Sequence, residues 1–217
     1  MNYTDINAQT IDRWVDEGWQ ETPVGKNVLI LGGGDIGRAA AKLFRNFSCR
    51  VTGLCRTVRA MPEFFDKVIT LERLDSALRE ADIIVGALPS TPETRKLFDR
   101  ERLAVLKKSA VLINVGRGDL IDTDALVSAL SEGKLYGAAL DVTDPEPLPP
   151  EHPLWDLPNV ILTPHITGGT FGHSPVTEQI LFDLCGKNME RYKNGEPLLN
   201  VVDLSTGYRR MENRYEP

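Results

Sequence analysis

Arg117, Asp141, Glu146 and His165 are the residues whose types could do chemistry together. Each follows a short apolar run: Arg117 comes after AVLINV, Asp141 directly after YGAAL with Glu146 shortly beyond, and His165 after VILT. If those runs are strands of one open parallel sheet, all four residues stand at its carboxyl ends, where such sheets bind ligands. The chemistry they suit is delivery of a hydride to a ketone. A proton must reach the carbonyl oxygen as the hydride arrives, and imidazole titrates near neutrality. A carboxylate on the other ring nitrogen would fix the tautomer and favour the protonated ring. An arginine can clamp a substrate carboxylate with two parallel hydrogen bonds and polarise the carbonyl. Taken singly, Arg117 could be a strand-end cap, Glu146 a solvated loop charge and His165 a satisfied loop histidine. Their joint placement carries the chemical reading.

A hydride needs a carrier, and VLILGGGDIGRAAAKLF, from Val28 to Phe44, has the form of a carrier site. Gly32, Gly34 and Gly37 give G-x-G-x-x-G between an apolar strand and an amphipathic helix. In that pattern the first glycine makes a tight turn, the second lets backbone approach a pyrophosphate, and the third lets helix pack on strand. The helix start adds N–H donors and the positive end of its dipole. About 20 residues on, a site for NAD places a carboxylate that binds the ribose 2′-hydroxyl. This chain reads VTGLCRTVR there, with no carboxylate at Cys55, Arg56 or Thr57. Arg56 can pair with a 2′-phosphate, with Thr57 as a hydroxyl donor and Arg59 as a second charge. The residues therefore favour NADP(H) over NAD(H), the other reading being that Arg56 is a solvated surface charge.

The elements that must position these groups alternate along the chain. Helices are expected at Asp5–Glu17, from Ile36 to Phe47, around Leu71, Leu74 and Leu78, from an Asp99 cap to Leu106, from an Asp122 cap to Gly133, and from Ser174–Pro175 to about Tyr192. In the last of these, Ile180, Leu184 and Met189 are inward candidates. Strands are expected at Val28–Leu31, Val51–Leu54, Asp82–Ala87, Ala110–Val115, Tyr136–Leu140 and Val160–Thr163, with the proline-rich segment 144–158 an ordered loop. Such alternation implies an α/β fold, a doubly wound parallel sheet of Rossmann type covered on both faces, as a single domain with flanking helices. The expected division is 1–24 as an N-terminal linking helix, 25–194 as the dinucleotide-binding domain and 195–217 as a C-terminal return segment.

Composition narrows the partners. The 217 residues carry a net charge of −6, which argues against nucleic acid and anionic membrane. The first residues show neither a basic region nor an apolar core of a signal peptide, and no apolar run reaches membrane-spanning length. Cys49, Cys55 and Cys185 have neither zinc nor redox spacing and read as free thiols of a reducing, cytoplasmic setting. His152, His165 and His173 lack the spacing of a helical metal pair, so no metal is expected.

Five segments in order, LGGGDIG, ALPSTPETR, LINVGRGDLID, GAALDVTDPEPLP and NVILTPHITGGT, resemble the D-isomer-specific 2-hydroxyacid dehydrogenases. That family includes glyoxylate/hydroxypyruvate reductases and D-lactate and 3-phosphoglycerate dehydrogenases. The likeness runs from about Gly25 to Tyr192. It implies NAD(P)H-dependent reduction of a small 2-keto acid such as glyoxylate or hydroxypyruvate, with Arg117, Glu146 and His165 as the catalytic set. Implied cofactor contacts are Gly32, Gly34, Asp35, Ile36, Gly37, Arg56, Thr57, Leu88, Pro89, Val115, Arg117, Asp141, His165 and Gly168. It further implies a homodimer formed through the cofactor domain by the first helix and the proline-rich arm. Two departures stand out. Thr143 occupies a position where the family usually has an aromatic residue, which widens or polarises the site. The family's flavodoxin-like substrate lobe has no counterpart in the sequence, so the expectation is a formed cofactor site with an open, wet catalytic face. The alternative is a non-catalytic dinucleotide-binding or interaction protein.

Overall fold

The computed structural model describes residues 22–56, 63–168, 174–204, 208–209 and 215. Seven strands form one parallel sheet: β1 (Asn27–Leu31), β2 (Arg50–Leu54), β3 (Lys67–Ile69), β4 (Ile83–Gly86), β5 (Val111–Asn114), β6 (Gly137–Leu140) and β7 (Val160–Leu162). Their order is β3-β2-β1-β4-β5-β6-β7, so the chain reverses direction across the sheet between β1 and β4. The helices are α1 (Asp35–Asn46), α2 (Leu74–Glu80), α3 (Arg100–Ala104), α4 (Thr123–Ser131) and α5 (Pro175–Lys193). A short antiparallel pair, β8 (Val202–Asp203) with β9 (Tyr208–Arg209), follows.

The strands are apolar on both sides because both sides are packed. In β1, Leu29 and Leu31 join a large core with α2, α3 and α4, whereas Val28 and Ile30 face the smaller core under α1. Helix starts follow their caps: Asp99, Asp122 and Ser174 accept from the backbone N–H groups of Arg102, Ala125 and Thr177.

The strand ends lie on one line. Ile69, Leu54, Leu31, Gly86, Asn114, Leu140 and Leu162 are register partners in succession across all seven strands. Every candidate residue that follows a strand leaves from this row.

Four expectations change. The strand β3 is absent from the sequence reading, because Lys67-Val68-Ile69 is too short to show a period. The apolar face of α1 is narrower than its composition suggests: Ala41 is buried and Ala40 and Phe44 pack on the core, but Ile36, Leu43 and Phe47 are exposed. Helix α5 buries none of its residues, and Met189, an inward candidate, is 64% exposed. The edge strand β7 is less enclosed than the other strands, with Ile161 54% exposed among the described residues. The helix expected at Asp5–Glu17 lies outside the described residues, as do Thr57 and Arg59. No described helix is long and apolar enough to cross a membrane. Among the described residues, no group of three or more His, Cys, Asp or Glu is placed to hold a metal ion.

Candidate active site and dinucleotide cradle

The cradle begins one residue past the row. Gly32 has φ of +115°, and a Cβ there would lie 2.6 Å from the Ala87 carbonyl oxygen. Gly37 sits on the Gly32 carbonyl so closely that any Cβ would collide with it. Gly34, the residue before α1, differs: a Cβ there would meet nothing within 4 Å. The N-cap residue of α1 is Gly34, which has no side chain to cap the helix. Open space at Gly34, beside an uncapped helix start, fits a pyrophosphate. Asp35 puts a negative charge in the first turn, and Arg38 pairs with it at 2.8 Å. Leu88 and Pro89 leave β4 beside this turn, with Leu88 Cδ2 3.4 Å from the Gly32 Cβ position.

Arg56 stands two residues past β2, exposed. The Thr91 hydroxyl and a backbone N–H, with a smaller contribution from the charge of Arg56, hold the Glu93 carboxyl in the loop after β4 below its usual range.

The loop carrying Arg117 is built by its neighbours. Asn114 is fully buried. Its Oδ1 accepts from Gly116 N at 3.1 Å and its Nδ2 donates to the Arg117 carbonyl at 2.9 Å. A Cβ at Gly116 would fall 2.6 Å from the Leu88 carbonyl oxygen, and one at Gly118 would strike the Thr143 carbonyl. The two glycines therefore seat Arg117 between the loops that follow β4 and β6. Thr123 Oγ1, at the start of α4, donates to the Asp144 carbonyl at 2.7 Å and ties that helix to the loop after β6.

His165 and Glu146 meet. Nδ1 of His165 lies 2.6 Å from Oε1 of Glu146, and Oε2 of Glu146 accepts from Thr143 N at 3.4 Å. With Nδ1 engaged, Nε2 is the ring nitrogen that can address a substrate oxygen. The His165 backbone has φ of +56°, a left-handed conformation uncommon outside glycine, which points to a locally enforced geometry.

Asp141 enforces it. Its backbone carbonyl accepts from His165 N at 2.8 Å. Its buried carboxylate accepts from Thr163 Oγ1 at 2.6 Å, Ile166 N at 2.9 Å and Thr167 Oγ1 at 2.7 Å. Burial pushes this carboxyl up, but the hydroxyl and N–H donors outweigh it and leave the group below the usual aspartate range. The stabilisation is therefore complete above the ordinary aspartate value of 3.8 and is lost as pH falls through the lower folded value. Asp141→Asn is expected to cost about 1–3 kcal/mol at neutral pH, with the gap from the native protein closing in strong acid. Urea unfolding of both proteins across that range checks it; a gap that stays constant with pH would contradict the assignment.

Sequence reasoning named Arg117, Glu146 and His165, of which the structure brings the last two into contact; it gave no role to the residues that hold their loops, Asn114, Gly116, Gly118, Thr163 and Thr167. The signal was present in N-V-G-R-G and in T-P-H-I-T.

Residues 4–167 match the family described as D-isomer specific 2-hydroxyacid dehydrogenase, NAD binding domain. The chain belongs to this family. It is 42% identical over 174 residues to a glyoxylate reductase of Pyrococcus horikoshii, covering 79% of this chain and 50% of that one. It is 38% identical over 201 residues to a glyoxylate/hydroxypyruvate reductase A of Arabidopsis thaliana, covering 88% and 61%. The crystal structure of a family member from Xanthobacter autotrophicus Py2, in complex with NADPH and MES, superposes with a TM-score of 0.79 at 38% identity, covering 94% of this chain and 81% of that one. The chain thus spans about half to three fifths of the length of these two reductases. As a 2-hydroxyacid dehydrogenase cofactor domain, it has the glycine turn, strand order and parallel sheet of the dinucleotide-binding fold.

Proposed function

We propose that this chain supplies the dinucleotide-binding and proton-donating part of an oxidoreductase that reduces a small 2-keto acid, of the glyoxylate and hydroxypyruvate kind, to the 2-hydroxy acid. The observation that carries the reading is the 2.6 Å contact of His165 with Glu146 at the same sheet edge as the glycine turn. Bound reduced nicotinamide would supply the hydride. The residues do the rest. Arg117 holds the substrate carboxylate. His165 gives its Nε2 proton to the carbonyl oxygen, and Glu146 keeps the ring oriented and supports its positive charge before transfer. Gly32, Gly34, Asp35, Ile36 and Gly37 would hold the pyrophosphate, with Leu88, Pro89, Val115, Asp141 and Gly168 along the rest of the nucleotide.

NADP(H) is the preferred form in this reading, with Arg56 and Thr57 at the 2′-phosphate. The NADPH complex of the Xanthobacter relative is in keeping with it. Fluorescence titration with NADPH and NADH, side by side, is the direct test. Arg56→Ser is expected to weaken NADPH binding by about tenfold or more and to leave NADH binding nearly unchanged, since a charge-assisted bond is worth about 1.5–3 kcal/mol. No loss for either nucleotide would assign Arg56 to the surface, and equal losses would take it away from the 2′-phosphate. NADPH oxidation with glyoxylate and with hydroxypyruvate then tests the reaction.

The reading extends to a cytoplasmic homodimer, with residues 25–194 as the functional unit. Cys49, Cys55 and Cys185 are free thiols, as a reducing compartment would leave them. A sedimentation mass of one chain would remove the dimer.

A further inference from the structure

A cavity of about 460 Å³ lies between α2 and the strands β1, β2 and β3. None of its lining residues belongs to the glycine turn or to the set of Arg117, Glu146 and His165. Its volume falls within the range of small-molecule sites, about 300–1,000 Å³. Two rows of residues form it. On the sheet, Leu29, Thr52 and Lys67 are register partners in succession. The next row on the same face, Leu31, Leu54 and Ile69, is buried throughout. On the helix side, Arg73, Ser76, Ala77 and Glu80 follow at the spacing of one helical face. The small side chains of Ser76 and Ala77 leave the space open, and Leu29, Ile69 and Ala81 give it an apolar floor.

The polar side chains of the lining sort into two kinds. Three are engaged: Asn27 Nδ2 donates to the Glu80 carbonyl at 3.2 Å, Thr70 Oγ1 to Glu72 Oε2 at 3.1 Å, and Ser76 Oγ to the Arg73 carbonyl at 2.9 Å. Thr52 Oγ1, Lys67 Nζ, the Arg73 guanidinium and the Glu80 carboxylate have no hydrogen-bond or ion-pair partner among the described residues. Charges just outside the cavity are paired, Asp75 with Arg102 at 2.9 Å and Asp82 with Lys107 at 2.7 Å. Glu80 stands seven residues from Arg73, about 10 Å along a helix, and its carbonyl is tied to Asn27 at the start of β1. It therefore leaves the cations uncompensated. We propose that this cavity binds a small hydroxylated organic anion. Its phosphate or carboxylate sits between Lys67 and Arg73 with the Thr52 hydroxyl as a further donor, the arrangement that charge-assisted hydrogen bonds to an oxyanion require. Its hydroxyl group donates to Glu80, and its carbon skeleton rests on the apolar floor. The site is separate from the nucleotide cradle and does not depend on the function proposed above.

The test is calorimetric titration of the full chain with glycerol 3-phosphate, with malate and with inorganic phosphate. The expected result is saturable binding of at least one of the two organic anions, tighter than that of inorganic phosphate. Binding of glycerol 3-phosphate alone assigns the site to phosphate esters, and binding of malate alone assigns it to carboxylates. Lys67→Gln and Arg73→Gln are each expected to weaken the binding by about tenfold or more, the scale of a lost charge-assisted bond. Both side chains are exposed, so the thermal midpoint of each variant should stay at the native value. Ser76→Phe, which fills the space between helix and sheet, should abolish the binding. Arg56→Ser should leave it unchanged. Failure of all three probes to bind overturns the proposal, as does binding that both Lys67→Gln and Arg73→Gln leave intact. Binding lost in Arg56→Ser and kept in Lys67→Gln places the anion at the nucleotide cradle and also overturns it.

Discussion

His165→Ala is expected to lower turnover of a 2-keto acid by about 10²–10⁴-fold, the usual share of a positioned acid. NADPH affinity should stay nearly intact, because the glycine turn and α1 owe nothing to the imidazole. Steady-state kinetics beside a nucleotide titration separates the two quantities. Glu146→Gln is the companion. It retains a hydrogen-bonding group beside Nδ1 and removes the charge, so the effect should be smaller and should appear as an altered pH profile of kcat. A His165→Ala protein with undiminished turnover would end the assignment. Because His165 has φ of +56°, His165→Asn is the better-tolerated variant if the alanine protein is unstable.

The second large effect divides two glycines of one motif. At Gly37 an added methyl collides with the Gly32 carbonyl, which belongs to the turn itself. Helix α1 must move off the strand, at a cost of about 1–3 kcal/mol, and the cradle distorts with it. At Gly34 the methyl meets nothing within 4 Å, and the backbone is extended at φ −75°, a conformation alanine accepts. Gly34→Ala should therefore keep its thermal midpoint, or raise it slightly through the unfolded chain. Yet the space it fills is the space a pyrophosphate would need in the proposed function. The expected pattern is loss of nucleotide binding in both variants and loss of stability in Gly37→Ala only. Normal NADPH binding by Gly34→Ala would mean that the turn holds no phosphate.

What the sequence disclosed follows physical lines. The glycine turn and the strand-end residues were legible because each is local: a motif of seven residues, or one residue a fixed step past an apolar run. Asn114 was harder. It reads as the polar end of AVLIN, and only the fold shows its amide spanning Gly116 and Arg117. Asp141 was placed by resemblance at the nucleotide, but its hold on residues 163–167 depends on the pairing of β6 with β7, which no local pattern states. The faces of α1 and α5 were misjudged for a related reason. Leu43 and Met189 are apolar and helical, but apolarity names a residue that can be buried and not the surface that buries it.

The row of register partners from Ile69 to Leu162 has a consequence for how such a protein changes over time. It separates what must persist from what can vary. Neighbouring strands sit about 4.8 Å apart, and from the one line separate loops emerge, each with a different duty in the proposed function: phosphate, ribose, carboxylate, proton. In the proposed reading a lineage can rewrite the segment after β2 and exchange one nucleotide for another while the strands themselves stay as they are. The sheet is inherited whole, and specificity is traded one loop at a time.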